Sequence, residues 1–417
     1  MVGVATGLLG DLMMYVLVSV EHLAYGHRAA SFEHAVEQAS DTRRVVALAV
    51  AGLVGGVAWY LWRRLTSSEH SDVDDAIWRG NGDVSFRRSL GSGLISELVI
   101  GLGASMGREN APKLMGGAAA STLADWSGLS PAQRRLLIAC GAGAGLAAVY
   151  NVPLGGALFT AELLLGSITL SVILPALACS TVATATAWVY LPRHATYVGV
   201  PDFHFTGTLM TWALLAGPVL GVVSVGWVRL VGFVSHHRAR GRFALVAPLL
   251  AFSAVGVMGI GYPQLFGNGK DMAHDAFVGV GTIGVLVALS ALKPIATALC
   301  LSSGASGGLF TPTMSMGAVL GGSLGVAWSL AWPGSPEGAF ALVGAAAMIG
   351  ASMQAPLAAL VIMLELTHSG FAVAVPMVAA TVEATALARY LDGYSIYSAR
   401  LAPEPAATGG LVGGGAT

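Results

Sequence analysis

A carboxylate beside a glycine-rich break is the feature of this sequence that most clearly indicates chemistry. Glu109 follows Gly107 and Arg108 and leads into a long apolar stretch. An acidic side chain at membrane depth is costly, and such residues usually mark an ion pathway or a proton relay. Glu109 is therefore the first candidate for a functional residue.

Glycine-rich segments of this kind occur twice in the chain. Residues 103–112 read GASMGRENAP, and residues 304–312 read GASGGLFTP, about 200 positions later. The N-terminus of a helix presents unpaired N–H groups and about half a positive charge, so two converging termini could replace the hydration shell of a small anion. Asn110 is a good N-cap and Pro112 suits the first turn of a helix. The flexible backbone would come from Gly107, Gly307 and Gly308. Glycines alone would equally fit a packing seam, and Glu109 favours the anion site.

A second pair of segments repeats in the same order. The run from Gly141 through Pro153-Leu to Glu162 is echoed by the run from Gly344 through Pro356-Leu to Glu365. Two independent echoes with one offset indicate an internal duplication. In transporters, broken segments at corresponding places in two halves point to a substrate site near the middle of the membrane.

The composition shows which elements must position these residues. Of the 417 residues, 55% are hydrophobic and only 10% are charged, whereas soluble domains are about a quarter charged. The chain is therefore predicted to be an integral membrane protein whose spans are all helical, because lipid offers the backbone no hydrogen-bond partners. Glycines between 91 and 107 and between 307 and 322 are expected to break two of the helices.

The predicted organisation is two membrane halves with no soluble domain. The first half covers 1–192, a connecting segment covers 193–208, and the second half covers 209–390. Residues 391–417 are expected to hold a short helix with Tyr397 and a disordered tail.

Several other functions are excluded by the same sequence. A net charge of −1 offers no footprint for nucleic acid, and the three cysteines and ten histidines show no metal-ligand spacing. No metal and no cofactor are proposed.

Ser306 lies in a G-x-S-x-G segment, which resembles the serine segment of intramembrane proteases, but His368 is the one later histidine and its setting does not match theirs. Ser105 repeats the same shape in the other half without a repeated base, so an enzyme is not expected.

Taken together and in this order, the motifs resemble those of the CLC chloride channel and transporter family. Gly107–Pro112 is similar to the family's GREGP segment, Gly308–Pro312 to its GxFxP segment, and Gly393–Ala399 to the region that holds its anion-binding tyrosine. The resemblance implies an all-helical membrane protein of two inverted-topology halves with broken and tilted helices. It also implies a multi-pass homodimer in the inner (cytoplasmic) membrane that transports chloride and, in exchangers, protons.

The resemblance also implies roles for individual residues. Glu109 would be the protonatable gate, whose carboxylate competes with chloride for the pathway. The backbone N–H groups of Leu309 and Phe310 and the hydroxyl of Tyr397 would line the central anion site. The backbone amides of Arg108 and Glu109 would help to form an outer site.

Two segments depart from the family's pattern. Ser68 is the best-placed candidate for the anion-binding serine, but it lacks the glycines and the proline of the family's GSGIP segment. Gly91–Ile95 looks like that segment but lies too close to Glu109, and it is interpreted as a chance match. Asn110 and Ala111 replace a glycine and a proline of GREGP.

The route of the protons is left open. Many exchangers of the family carry an internal proton-transfer acid directly after the acid matched by Glu162, and here that position is Leu163. Glu162 and Glu365 are interpreted as structural acids, and Glu97 and Glu383 as possible proton stations. Glu109 favours chloride/proton exchange, Leu163 favours a passive chloride channel, and selectivity for another small anion such as nitrate, bromide or fluoride also remains open. Of these, exchange is the preferred prediction.

Overall fold

The chain folds into a bundle of membrane helices. The computed structural model describes residues 1–26, 31–67, 72–79 and 83–401. The regular structure in these ranges is helical apart from one isolated β-bridge. The α-helices are α1 (Val2–Tyr25), α2 (Phe32–Gln38), α3 (Asp41–Leu65), α4 (Val73–Trp78), α5 (Phe86–Gly101), α6 (Asn110–Ser127), α7 (Pro131–Tyr150), α8 (Pro153–Leu158), α9 (Leu170–Ala187), α10 (Gly207–His236), α11 (Phe243–Gly261), α12 (Lys270–Phe277), α13 (Ile283–Ser302), α14 (Phe310–Ser329), α15 (Glu337–Met353), α16 (Pro356–Thr367) and α17 (Ala374–Leu391).

Length and apolar composition allow seven helices of the described ranges to cross a membrane. They are α1, α3, α9, α10, α11, α13 and α17, the last together with the short turn before it. The faces of α3 and α11 that point away from the bundle carry exposed apolar side chains, including Leu53, Leu61 and Leu250. Side chains of this kind are stable in contact with lipid, which agrees with the membrane class predicted from composition.

Helix ends and turns show the duplication in detail. Asn151 ends α7 with φ 57° and Gln354 ends α15 with φ 58°, and each stands two residues before a proline that opens the next helix. Likewise, Gly103 follows α5 with φ 113° and Gly304 follows α13 with φ 87°. Left-handed backbone at matched places in both halves is explained by an internal duplication. Helices α5–α9 of the first half correspond to α13–α17 of the second.

The glycines were predicted to break two helices over longer stretches than the structure shows. α5 continues through Gly91 and Gly93, and α14 continues through Gly317 and Gly321. A Cβ on Gly317 would lie 2.5 Å from the Cβ of Met348, so this glycine allows two helices to pack closely. Within the two glycine-rich runs, the non-helical stretches are confined to 102–109 and 303–309.

The C-terminal segment also differs from its prediction. Tyr397 precedes a single 3₁₀ turn, Ser398–Arg400, and does not lie in a helix. The predicted disordered tail, apart from Leu401, lies outside the described residues. The apolar run from 152 to 192 is divided into α8, a π-helical turn at Phe159–Leu164, and α9.

Candidate functional site

The starts of two helices meet near the middle of the molecule. The backbone N–H of Gly107 donates to the carbonyl of Gly308 at 2.7 Å, and the N–H of Gly308 donates to the carbonyl of Gly107 at 2.7 Å. α6 begins at Asn110 and α14 at Phe310, so each helix starts within three residues of this bridge. The two duplicated segments therefore converge, one from each half.

The carboxylate of Glu109 lies among hydrogen-bond donors from the other half and from α7. Its Oε1 accepts from the backbone N–H of Phe310 at 2.7 Å. Its Oε2 accepts from the hydroxyl of Tyr150 at 3.1 Å and from the hydroxyl of Thr311 at 3.1 Å. The Glu109 side chain is buried, with 3% exposure. N–H and O–H donors at a helix start are the groups that bind small anions, and here a carboxylate occupies them.

Space at this point is limited by the two bridging glycines. A Cβ on Gly308 would lie 1.9 Å from Oε1 of Glu109, and a Cβ on Gly107 would lie 2.3 Å from both carboxylate oxygens. Both positions therefore require glycine while the carboxylate is in place. Gly307 is equally confined, because its Cβ would lie 2.6 Å from the Cε of Met106.

Asn110 does not act as the predicted N-cap. Glu109 takes the N-cap position of α6, and Asn110 is the first residue of that helix. The Asn110 amide instead donates to the hydroxyl of Ser306 at 3.2 Å. Ser306 thus joins the two halves, while His368 is exposed at the C-terminal end of α16. The serine-protease alternative lacks the contact between serine and base that it needs.

The remaining predicted residues surround the bridge. Leu309 takes the N-cap position of α14 and is buried, as is Phe310. The guanidinium carbon of Arg108 lies 5.1 Å from the centre of the Tyr150 ring. The Nε of Arg108 is buried and has no hydrogen-bond partner among the residues that the structure describes. Pro312 is the third residue of α14.

Tyr397 lines a cavity of about 630 Å³. Asn110 and Ser306 also line it, so the cavity reaches the start of α6. Basic residues outnumber acidic ones among the described residues of its lining, and they are Arg63, Arg64, Arg88, Lys113, Arg238, Arg240 and Arg400. Because basic residues concentrate on the cytoplasmic side of membrane proteins, this lining indicates that the cavity faces the cytoplasm.

The serine predicted from position lies outside the described residues, because 68–71 are not among them. Gly91–Ile95 lies inside α5, as expected for a chance match, although Ser92 lines the cavity.

Glu162 and Glu365 hold the two halves together by exchanged contacts. The Glu162 carboxylate accepts from the backbone N–H groups of Leu357 at 3.2 Å and Ala358 at 2.6 Å, at the start of α16. The Glu365 carboxylate accepts from the N–H groups of Leu154 at 3.0 Å and Gly155 at 2.7 Å, at the start of α8. Glu162 lies in the π-helical turn that continues from α8 and caps α16, and Glu365 lies on α16 and caps α8, which agrees with their interpretation as structural acids.

The two possible proton stations differ in their surroundings. Glu97 on α5 is fully buried, and neither of its carboxyl oxygens has a hydrogen-bond partner among the described residues. Arg108, Glu109 and Glu21 are the charged groups that act on it. Glu383 on α17 lies against Gly217 of α10, at the packing contact of these two helices.

Tyr150 and Thr311 are the site residues that the sequence analysis missed. Thr311 stands inside the Gly308–Pro312 segment, and Tyr150 stands directly before the repeated Asn151-Val-Pro turn. Their places in the two duplicated motifs were the signal that could have identified them.

Comparisons with known proteins agree with this architecture. A sequence model of the family described as "Voltage gated chloride channel" matches residues 51–389. The "Voltage-gated ClC-type chloride channel ClcB" of Citrobacter koseri is 29% identical over 408 residues, which cover 95% of this chain and 96% of that protein. The "H(+)/Cl(-) exchange transporter ClcA" of Yersinia pestis is 30% identical over 313 residues, which cover 73% of this chain and 65% of that protein.

A solved structure shows the same fold. The crystal structure of a slow cyanobacterial Cl⁻/H⁺ antiporter superposes with a TM-score of 0.82 at 22% identity, and the match covers 95% of this chain and 94% of that one. The predicted arrangement of two inverted halves is thereby confirmed.

Proposed function

Because this chain belongs to the voltage-gated chloride channel (CLC) family, a family of channels and transporters and not of enzymes, we propose that it exchanges chloride for protons across the membrane. The chain is a multi-pass membrane protein for anion transport. Relatives named as channels and relatives named as exchangers both match it, so the choice between these mechanisms rests on its own residues.

The contact that carries the proposal is the one between the Glu109 carboxylate and the N–H of Phe310. An ionised carboxylate and chloride compete for the same N–H and O–H donors. When Glu109 takes up a proton, it loses the charge that holds it among these donors and can leave. The N–H and O–H donors then bind chloride. The carboxylate can return only after Glu109 has released its proton and the site has released the anion. A single side chain thus links the two ions.

The other predicted residues complete the pathway. The starts of α6 and α14 meet at the bridge, and the partial positive charge of the two helix ends favours an anion without a full cation. Leu309 and Phe310 would supply N–H groups to the central site, Tyr397 its hydroxyl, and Arg108 an amide to the outer site.

Glu97 supports the proton branch of this mechanism. A buried carboxyl group with no hydrogen-bond partner is far more stable neutral than ionised. Glu97 is such a group and lies within the electrostatic reach of Glu109. We therefore propose Glu97 as a proton station on the route through Glu109, since Leu163 cannot carry a proton.

A passive chloride channel is the second candidate. Leu163 stands where many exchangers have an acid, and the relative with the longer match is named as a channel. In that case Glu109 would open and close the pathway without moving protons in proportion to chloride.

One assay separates the two functions. In proteoliposomes with an imposed chloride gradient, the exchanger drives protons uphill, whereas a channel passes chloride with no proton movement. E109Q removes the titratable gate, so we expect it to pass chloride while proton transport is lost. E337Q, an exposed acid at the start of α15, is the matched control. Chloride flux without protons in the wild type, or intact coupling in E109Q, would contradict the proposal.

Homodimer assembly and the preference for chloride over nitrate, bromide or fluoride are further parts of the proposal. Both follow from the family resemblance. Cross-linking in liposomes tests the assembly, and flux with each anion in turn tests the preference.

A further inference from the structure

A lysine stands between Glu109 and the cytoplasmic cavity. Lys113 lies on α6, four residues after the N-cap Glu109, so about one helical turn separates the two residues. Lys113 is 5% exposed and lines the cavity. Its ammonium group lies 4.6 Å from the centre of the Tyr397 ring. This is a full positive charge on the predicted anion path.

The ammonium group of Lys113 forms an ion pair with a buried carboxylate. Oδ2 of Asp74, on α4, lies 2.7 Å from the Lys113 Nζ. Asp74 is buried at 8% exposure, and within the described part of the chain its Oδ1 has no hydrogen-bond partner. An ammonium group has three donors, and Asp74 is the one side-chain acceptor that Lys113 has among the described contacts.

The cavity around this pair has an excess of positive charge. Among the residues that the structure describes, six arginines and Lys113 line it, against the two carboxylates of Asp72 and Asp74. A concave surface of one sign raises the local concentration of ions of the opposite sign. Anions from the cytoplasm therefore collect in the cavity, and Lys113 is the buried cation that they meet beside Tyr397.

We propose that the Lys113 ammonium is a binding site for a small inorganic anion, and that the Asp74 carboxylate is a tethered gate that leaves it when the anion arrives. The inference rests on the proposed anion transport but not on proton coupling. Asp74 would act at the cytoplasmic side as Glu109 acts at the bridge, because each carboxylate occupies donors that a passing anion needs.

The alternative is an ion pair that only fixes α4 against α6. Removal of either partner from a buried pair leaves an unpaired charge and destabilises the fold. A structural pair and a gate therefore both predict lower stability for single variants. They differ in what happens to anions, which the test must measure directly.

The test combines anion flux with crystallographic location of bromide. D74N frees the lysine, so chloride flux at sub-saturating concentration should rise roughly tenfold, because a neighbouring negative charge is removed. Crystals of D74N in bromide should show an anomalous peak at the Lys113 Nζ. In K113M, Asp74 remains as an unpaired negative charge, and flux should fall by about tenfold or more.

The double variant K113M/D74N keeps the test decisive if a single variant does not fold, because it leaves no buried charge unpaired. It should fold, show no bromide peak at position 113, and lose the gain in flux of D74N.

The control pair is Arg229 and Asp392, which are 2.8 Å apart and do not line the cavity. R229M/D392N should leave flux unchanged. Wild-type flux in D74N and in K113M/D74N, with no bromide at Lys113, would overturn the proposal. A loss of proton coupling alone would count against exchange and not against this site.

Discussion

The Glu109 carboxylate is held by neutral donors and not by an ion pair. One backbone N–H and two hydroxyl groups hold its two oxygens. Each hydrogen bond to a charged group contributes about 1.5–3 kcal/mol. Hydrogen bonds of this strength hold the Glu109 carboxylate in the site. Another anion can still replace the carboxylate, because the described contacts of Glu109 include no ion pair. The same balance suits a gate that must open repeatedly.

Removal of one of these donors should weaken the closed position. Y150F deletes the hydroxyl that donates to Oε2 of Glu109 and keeps the ring. The loss of one charge-assisted hydrogen bond should raise chloride flux at high pH, where the gate is closed for longest, by roughly tenfold. Flux from proteoliposomes as a function of pH measures this.

The control for this variant is Y197F. Tyr197 is also a buried tyrosine, but its hydroxyl lies 3.9 Å from the sulfur of Met314 and does not contact Glu109. If Y150F and Y197F have the same flux at every pH, the Tyr150 hydroxyl does not hold the gate.

The helix starts position these donors, and the glycines before them allow the close approach. The bridge between Gly107 and Gly308 joins the two non-helical segments directly. Helix α14 then presents the N–H of Phe310 and the hydroxyl of Thr311 to a carboxylate from α6. Neither half could form this arrangement alone.

A methyl group at Gly308 should displace the gate. In G308A the added carbon would need the space of Oε1 of Glu109, which lies 1.9 Å away. The carboxylate must then give up its bond to Phe310, and we expect the protons moved per chloride to fall about tenfold. Simultaneous recording of proton and chloride movement provides the measurement.

G226A is the matched control, because nothing lies within 4 Å of a Cβ at that exposed position on α10. Both substitutions add one methyl group. Normal coupling in G308A would show that the carboxylate does not work from the position seen here.

The exchanged caps of α8 and α16 should contribute to stability and not to proton transfer. E162Q turns an acceptor oxygen into an N–H₂ group that faces a backbone N–H of Leu357 or Ala358. The cost of such a mismatch is about 1–3 kcal/mol, so the melting temperature in detergent should fall while proton coupling stays intact.

E365Q makes the same change at the matching place in the other half and should lower the melting temperature to a similar extent. E337Q again serves as the control. Loss of coupling in E162Q without loss of stability would assign this acid to the proton route instead.

The molecule as a whole is one structure made from two interlocked copies. The Gly107–Gly308 bridge, the Asn110–Ser306 contact and the exchanged glutamate caps all connect the halves. We therefore expect a chain cut in the exposed connection at Val198–Gly199 to reassemble when both pieces are made together.

Co-expressed 1–198 and 199–417 should co-purify and transport chloride, whereas each piece alone should not. The measurement is co-elution followed by flux in liposomes. Transport by one piece alone would refute a site that needs both halves.

The sequence predicted the membrane class, the duplication and the meeting of the two glycine segments, because composition and repeated motifs are local signals. It failed where one residue type serves two purposes. Glycines in α5 and α14 permit close packing within helices, while Gly103 and Gly304 permit left-handed turns. Tyr150 could not be identified, because its proximity to Thr311, 161 positions away, arises from tertiary structure. Lys113 was open to the argument used for Glu109, since a charge in the apolar run of α6 is costly.

The pair of hydrogen bonds between Gly107 and Gly308 also bears on ancestry. In an unfused precursor this seam would have lain between two identical chains, so a pore would have existed only in their assembly. Identical chains would have brought the same side chain to the places now held by Glu109 and Phe310, either two acids that repel each other or no acid at all. Fusion of the genes removed that constraint, and a single movable charge could then evolve opposite the backbone N–H of Phe310.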